Sequence, residues 1–363
     1  MRIWLYYAGA GGGHKASVQA VAEEFLKQKS DAQFSWFDVG ILAGAYSRRW
    51  FENGYAGLVH HLPWLYAFLY EASKLRPVMW LHNTLAEMLV GNALVRSLQT
   101  ENPDLIVSSY FLVGPLVRAL KKTGRAIPLV VIVTDPYSAP PIWFYYPELK
   151  YVVASAMVKK TALTRGVPEK NIVVVPQIIH GAPSRQKSVD KEGKIVLLVG
   201  GGNGFPGAED VVNALVQSDV VAKIVVVCGT NEKLKKEIEA VTRQTKKQIT
   251  VYGFVDFLPE LIVKADVVIA KAGAGVVHEV LQQKKPLIIS HFIWGQETGN
   301  KDFVVNNGLG FYEPQAKNIP ALVQRCLYDA DVLAKLEKAC QEHLQKNGVS
   351  EVVTYLTSLT KGA

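Results

Sequence analysis

Residues 270–300 read AKAGAGVVHEVLQQKKPLIISHFIWGQETGN, and the reading of this stretch decides the fold. The apolar run that ends at Ala270 reads as a buried strand, Gly273 and Gly275 as a tight turn, and the next segment as a helix carrying Glu279 about one turn in. A second apolar run over 286–290 then delivers Gln296, Glu297 and Asn300 onto a loop. Strand, glycine turn, helix and strand form a βαβ unit, the building block of a parallel α/β sheet. A helix start behind such a turn leaves backbone amides unpaired and gathers positive dipole, so a phosphate-bearing ligand is a natural occupant. Glu279 sits where a carboxylate accepts from two vicinal hydroxyls, as in ribose, and the 296–300 side chains supply the mixed donors and acceptors that suit a sugar ring. Half of a nucleotide-sugar site is one reading. An ordinary βαβ unit whose glycines only make the turn is the other.

Working outward, the pattern recurs. A strand over 195–199 runs into GGGNGFPG at 200–207, then a helix over 208–217 and a strand over 223–228. This second glycine loop of the C-terminal half can face the first and enclose a diphosphate. At the other end of the chain, the strand over 3–7 is followed by Gly9, Gly11, Gly12 and Gly13, then His14 and a helix over 15–28. Neither the lysine-ended phosphate loop nor the spaced dinucleotide fingerprint is matched there. The turn reads instead as one that lets a substrate approach the backbone, with one imidazole at its edge; a histidine that merely starts a helix is the alternative. Further strands are expected at 34–39, 104–108, 129–133, 151–154 and 172–175, with helices at 85–99 and 114–122. Asp135 follows Thr134 at a strand end, where open α/β sheets put their ligands. It can act as a base, orient His14 or cap the next turn. Past a charged helix over 232–245, the segment 249–255 is a strand whose Phe254 either stacks on a base or lies buried at the sheet edge.

The window 46–80 breaks this rhythm. It holds nine aromatics (Tyr46, Trp50, Phe51, Tyr55, Trp64, Tyr66, Phe68, Tyr70 and Trp80), roughly a quarter of its residues against 10% for the chain. Arg48, Arg49, Lys74 and Arg76 flank them. That mixture suits a bilayer interface or the mouth of a pocket for a lipid-like acceptor, with Trp64, Leu65, Phe68 and Trp80 as contacts alongside Gly12 and Gly13. Internal core is the competing reading.

Length and composition bound the rest. A chain of 363 residues with 49% hydrophobic and 20% charged residues is globular and too long for one ordinary core. The expected domains are 1–179 and 194–345, joined by the polar linker 180–193 and followed by a helix in 346–363 placed to return to the first domain. No run of about 18 uncharged apolar residues occurs, and the first 14 residues read as a strand and turn, not as a signal peptide. Three scattered cysteines without metal spacing fit a reducing cytoplasm. No Asp-x-Asp element stands at a strand end, so neither a metal nor a cofactor is expected. Net charge is +8, most of it in the first half, which suits an anionic partner or plain solubility. Nucleic acid is not expected, because no Lys and Arg stripe is interleaved with aromatics.

On these residues the chain resembles a known family. GAGGGHKAS at 9–17, Trp64, Leu65, Tyr66 and Tyr70, Thr134 with Asp135, the loop VGGGNG and above all residues 278–308 are similar to the diacylglycerol glycosyltransferases. These comprise the monogalactosyldiacylglycerol synthases and related bacterial glucosyltransferases, akin in their C-terminal half to the lipid II synthase. The resemblance implies an α/β fold of two Rossmann-like domains facing a cleft, the GT-B type. It implies an enzyme at the cytoplasmic membrane surface that moves a hexose from a UDP-sugar to a lipid hydroxyl with inversion. By the same resemblance Phe254 would contact uracil and Glu279 the ribose, while Gly200, Gly201, Gly202, Asn203 and Gly204 with Gly273, Ala274, Gly275 and Val276 would hold the diphosphate. Gln296 and Glu297 would read the sugar, Asn300 would support their loop, and His14 and Asp135 would stand at the reacting centre. Two departures fall on the acceptor side. Residues 140–145 read PPIWFY where the family carries a run bounded by two histidines, and 176–179 read PQII where it has Pro-x-Arg. A soluble-acceptor transferase or a UDP-sugar 2-epimerase remain the alternatives.

Overall fold

The computed structural model describes residues 1–9, 12–29, 31–44, 54, 57–59, 62–180, 193–202, 204, 206–344 and 346–360. Asn203, Gly11, the linker residues 181–192, and Tyr46, Arg48, Arg49, Trp50, Phe51 and Tyr55 lie outside these. The chain forms two compact units, Met1–His180 with Lys346–Ala363, and Gly181–Gln345.

The first unit is built on six parallel strands, β1 (Arg2–Tyr7), β2 (Gln33–Asp38), β3 (Leu105–Ser108), β4 (Leu129–Ile132), β5 (Lys150–Val153) and β6 (Ile172–Val174), in the order β2-β1-β3-β4-β5-β6. The chain crosses back over β1 to form β3, so the strand order reverses between those two. Continuous apolar runs such as IWLYY and LIV are what a sheet covered by helices on both faces requires. The helix Val349–Ser358 completes one of those faces: Val352, Val353 and Leu356 are fully buried against Ile3, Leu5, Val18, Val21 and Phe25. Gly348 at its start packs so tightly on Pro176 that a Cβ would lie 2.1 Å from the Pro176 carbonyl oxygen.

The second unit repeats the plan with β7 (Ile195–Val199), β8 (Lys223–Val227), β9 (Ile249–Tyr252), β10 (Val267–Lys271), β11 (Leu287–His291) and β12 (Phe311–Tyr312), all parallel, in the order β12-β11-β10-β7-β8-β9. Here the reversal lies between β7 and β10. Open parallel sheets bind ligands beyond the carboxyl ends of the strands that flank such a reversal. In the first unit β1, and in the second both β7 and β10, lead into the glycine turns.

Local differences from the sequence reading have simple causes. The helix expected over 85–99 starts nine residues earlier, at Arg76, because Pro77 occupies its first turn, where a missing amide costs nothing. The second unit ends in two helices, Ile319–Tyr328 and Ala330–His343, divided where the Asp329 carboxylate caps the second by accepting from the amides of Asp331 and Val332. Asn300 lies in the helix Thr298–Asn306, not on a loop.

Candidate functional site

In the first unit the helix Gly13–Gln28 begins behind Gly12, whose φ of 77° favours glycine. His14 stands in the first turn of that helix and is locked to the end of β3 twice. Its Nδ1 lies 2.6 Å from the carbonyl oxygen of Ser109, and the Ser109 hydroxyl donates to the His14 carbonyl at 2.7 Å. A carbonyl only accepts, so Nδ1 carries the proton and the lone pair of the neutral ring is on Nε2. Thr134 Oγ1, at the end of β4, lies 3.1 Å from the same Nδ1. No described residue hydrogen-bonds Nε2. Tyr110 meets the imidazole edge-on and Trp143 lies 6.0 Å away between ring centroids. Burial among these groups lowers the imidazole pKa to about 4, opposed by the Ser109 carbonyl; the residue keeps some solvent access, which tempers the shift but leaves its direction. Asp135 joins this cluster through Trp143, whose indole Nε1 donates to its Oδ2 at 2.7 Å. Trp143 belongs to the PPIWFY segment and is buried, so that segment's contribution is an indole fixing the carboxylate.

In the same unit, the helices Pro63–Ala72 and Arg76–Thr100 carry exposed apolar residues, and the Tyr70 hydroxyl of the first donates to the carbonyl of Ser138 at 3.3 Å. Trp64 is 69% exposed, Phe68 66%, Trp80 54% and Met88 74%, with Leu81, Leu85 and Leu89 beside them, while Leu65 is half-buried. The internal-core reading of these aromatics is therefore excluded for Trp64, Phe68 and Trp80. Among the described residues no helix is long and apolar enough to cross a membrane.

In the second unit, β7 leads into Gly200, Gly201 and Gly202, and Gly201 and Gly204 both have positive φ. The loop is clamped from β8: the amide of Thr230 donates to Gly202 O at 2.7 Å, its hydroxyl at 3.0 Å, and a Cβ on Gly229 would fall 2.1 Å from that same oxygen. Phe254, after β9, is 72% exposed, which rules out the buried-edge reading.

On the far side of the reversal, β10 ends at Lys271, and the helix Ala274–Gln282 begins behind Gly273 with no side-chain cap. The amides of Ala274, Gly275 and Val276 have no acceptor among the described residues, as the first turn of a helix dictates. The Glu279 carboxylate folds back over this turn, with Oε1 3.9 Å from the position of a Cβ on Gly275. Burial raises its pKa to about 7.

The segment 293–300 braces the turn from behind. Glu297, 5% exposed, pairs through Oε1 with the Lys271 ammonium, and its Oε2 accepts from the Ile293 amide at 2.8 Å. Asn300 donates to the carbonyl of Ala272 at 2.9 Å. Both Glu297 oxygens are thus engaged within the protein, and Asn300 holds the β10 turn itself. Gln296 is half-buried beside them. Lys271, Ser109 and Trp143 are the residues that sequence reasoning passed over. A charge closing a buried strand was the available signal for Lys271.

No group of three or more His, Cys, Asp or Glu among the described residues could hold a metal ion.

Residues 14–176 match the family model of monogalactosyldiacylglycerol synthase, and residues 195–351 match that of the glycosyltransferase family 28 C-terminal domain. The first half of the chain is thus similar to monogalactosyldiacylglycerol synthases and the second half to family 28 glycosyltransferases. The chain is 29% identical over 355 residues to the probable monogalactosyldiacylglycerol synthase 2 of Oryza sativa subsp. indica, covering 89% of this chain and 73% of that protein. It is 26% identical over 382 residues to the monogalactosyldiacylglycerol synthase of Spinacia oleracea, covering 99% and 73%. Among solved structures, Acinetobacter baumannii MurG superposes with a TM-score of 0.63 at 17% identity, over 98% of this chain and 99% of that one. A putative UDP-N-acetylglucosamine 2-epimerase of Listeria monocytogenes superposes at 0.66 and 10%, over 98% and 94%. These likenesses are of fold alone, that of GT-B glycosyltransferases, and a shared fold does not choose between transferase and epimerase. Both family models that match the chain are of transferases.

Proposed function

We propose that this glycosyltransferase moves a hexose from a UDP-sugar to the free hydroxyl of diacylglycerol, with inversion, to make a membrane glycolipid. The observation that carries the reading is the contrast between the two family-matched units. One holds a neutral, oriented imidazole and an exposed aromatic face, and the other holds unpaired amides beside a carboxylate. The amides of Ala274, Gly275 and Val276 with the Gly200–Gly204 loop take the diphosphate, Glu279 accepts from the ribose hydroxyls, and Phe254 stacks on uracil. Gln296 contacts the hexose, and Glu297 and Asn300 keep the turn in place.

The acceptor hydroxyl gives its proton to Nε2 of His14 while its oxygen attacks the anomeric carbon. The bond from that carbon to the β-phosphate oxygen breaks, and UDP departs with the electron pair. Ser109 fixes the tautomer that makes Nε2 the base, and Trp143, whose ring lies 6.0 Å from the imidazole, holds the Asp135 carboxylate in the same cluster. Amides aimed at the departing phosphate meet its developing charge. The exposed face of Trp64, Phe68, Trp80 and Met88 meets lipid at the membrane surface, which is how a soluble sugar nucleotide and a buried hydroxyl are brought to one enzyme. Purified protein incubated with UDP-galactose or UDP-glucose and diacylglycerol vesicles should yield a monohexosyl lipid by mass spectrometry. Conversion or hydrolysis of the nucleotide sugar without any new lipid would contradict the reading.

A further inference from the structure

We propose that Lys271 is a phosphate-binding residue of the donor site and that Glu297 is a positioning residue that holds its ammonium there. The assignment rests on the donor reading above and deepens it. Lys271 closes β10 at the strand reversal, and its Nζ lies 4.0 Å from where a Cβ on Gly273 would stand. That puts a full positive charge beside the unpaired amides of Ala274, Gly275 and Val276. Its side chain is 19% exposed and that of Glu297 6%. An ammonium has three N–H donors, and the bond to Glu297 Oε1 uses one of them.

Any rotation of Glu297 toward a sugar hydroxyl would break its bonds to that ammonium and to the Ile293 amide, and a buried cation left alone is costly. Its carboxylate is therefore better read as a fixture than as a sugar contact. A buried ion pair seldom adds stability over apolar packing, so its presence at this turn asks for another reason. The anion that a glycosyl donor carries supplies one: as the glycosidic bond breaks, charge grows on the β-phosphate, where an ammonium already in place needs no reorganisation. The same segment sets the turn's backbone through Asn300 on Ala272 O, so residues 297–300 fix both the charge and the amides that serve one ligand group.

The test measures UDP binding by calorimetry and uridine binding by ligand-observed NMR, on unmodified protein, Lys271→Gln, Glu297→Gln and the double variant. Lys271→Gln should bind UDP at least tenfold more weakly yet uridine within twofold. Glu297→Gln should weaken UDP a few-fold and spare uridine, and the double variant should be no worse than Lys271→Gln alone. Equal losses for UDP and uridine in either variant would mark a structural lesion and overturn the assignment, as would unchanged UDP affinity in Lys271→Gln. Failure of unmodified protein to bind UDP would overturn both this assignment and the donor reading beneath it.

Discussion

The two glycine turns each follow a strand that flanks the reversal of its parallel sheet, and they have been given opposite electrostatics. In the first unit the turn after β1 ends in an imidazole among Tyr110, Trp143 and Thr134, desolvated enough to stay neutral, with its lone pair committed to Nε2 by one carbonyl contact. The turn after β10 in the second unit keeps three amides unpaired and adds an ion pair, Lys271 with Glu297, and a carboxylate whose charge burial disfavours. The first arrangement serves to take a proton and the second to hold an anion. The lesson is that the topology fixes where a ligand goes, while the few side chains at the strand ends decide what it is.

The largest effect should come from removing the base. His14→Ala is expected to lower transfer by 100-fold or more, in the range found for general-base loss, while UDP affinity stays within a few-fold because no donor contact is assigned to that unit. Comparable losses in both would erase the contrast between the turns. The pH dependence sharpens it further. His14, with a pKa near 4, stays neutral from pH 8 down to about 5, so kcat should be flat there. Glu279, near 7, takes up a proton over the same interval, and a protonated carboxyl accepts poorly from ribose, so KM for the donor should rise as pH falls below 7. A kcat that drops with an apparent pKa near 6.5 would contradict the desolvated imidazole.

A smaller effect separates binding from stability at Glu279. Its folded pKa lies above the ordinary 4.5, so the native state binds the extra proton between those values and stability falls as pH rises from 4.5 through 7. Glu279→Gln should therefore stabilise the protein at pH 8, by at most about 3 kcal/mol, and have little effect at pH 4. Over the same comparison it should weaken UDP binding at pH 8. Thermal melts at the two pH values, with calorimetry at the higher, check both signs.

Much of this was legible in the chain. Apolar runs alternating with helical periodicity and punctuated by glycine gave both parallel sheets, and His14 and Glu279 stood out because each begins or follows a glycine turn. What was not legible was pairing at a distance. Nothing in the order of residues says that Glu297 reaches back 26 positions to Lys271, or that Ser109 settles the tautomer of His14 across 95. Nor does an amphipathic pattern state what covers its apolar side. Trp64 and Phe68 read equally as core or surface until the fold left them uncovered, and Phe254 was equally open until its exposure settled the matter.

The central claim is that the turn after β10 receives a nucleoside diphosphate. A crystal structure of the protein soaked with UDP tests it most directly. Phosphate oxygens within hydrogen-bond distance of the amides of Ala274, Gly275 and Val276, with the ribose hydroxyls on Glu279, are the predicted result. UDP bound away from that turn, or with its ribose turned from Glu279, would contradict the account.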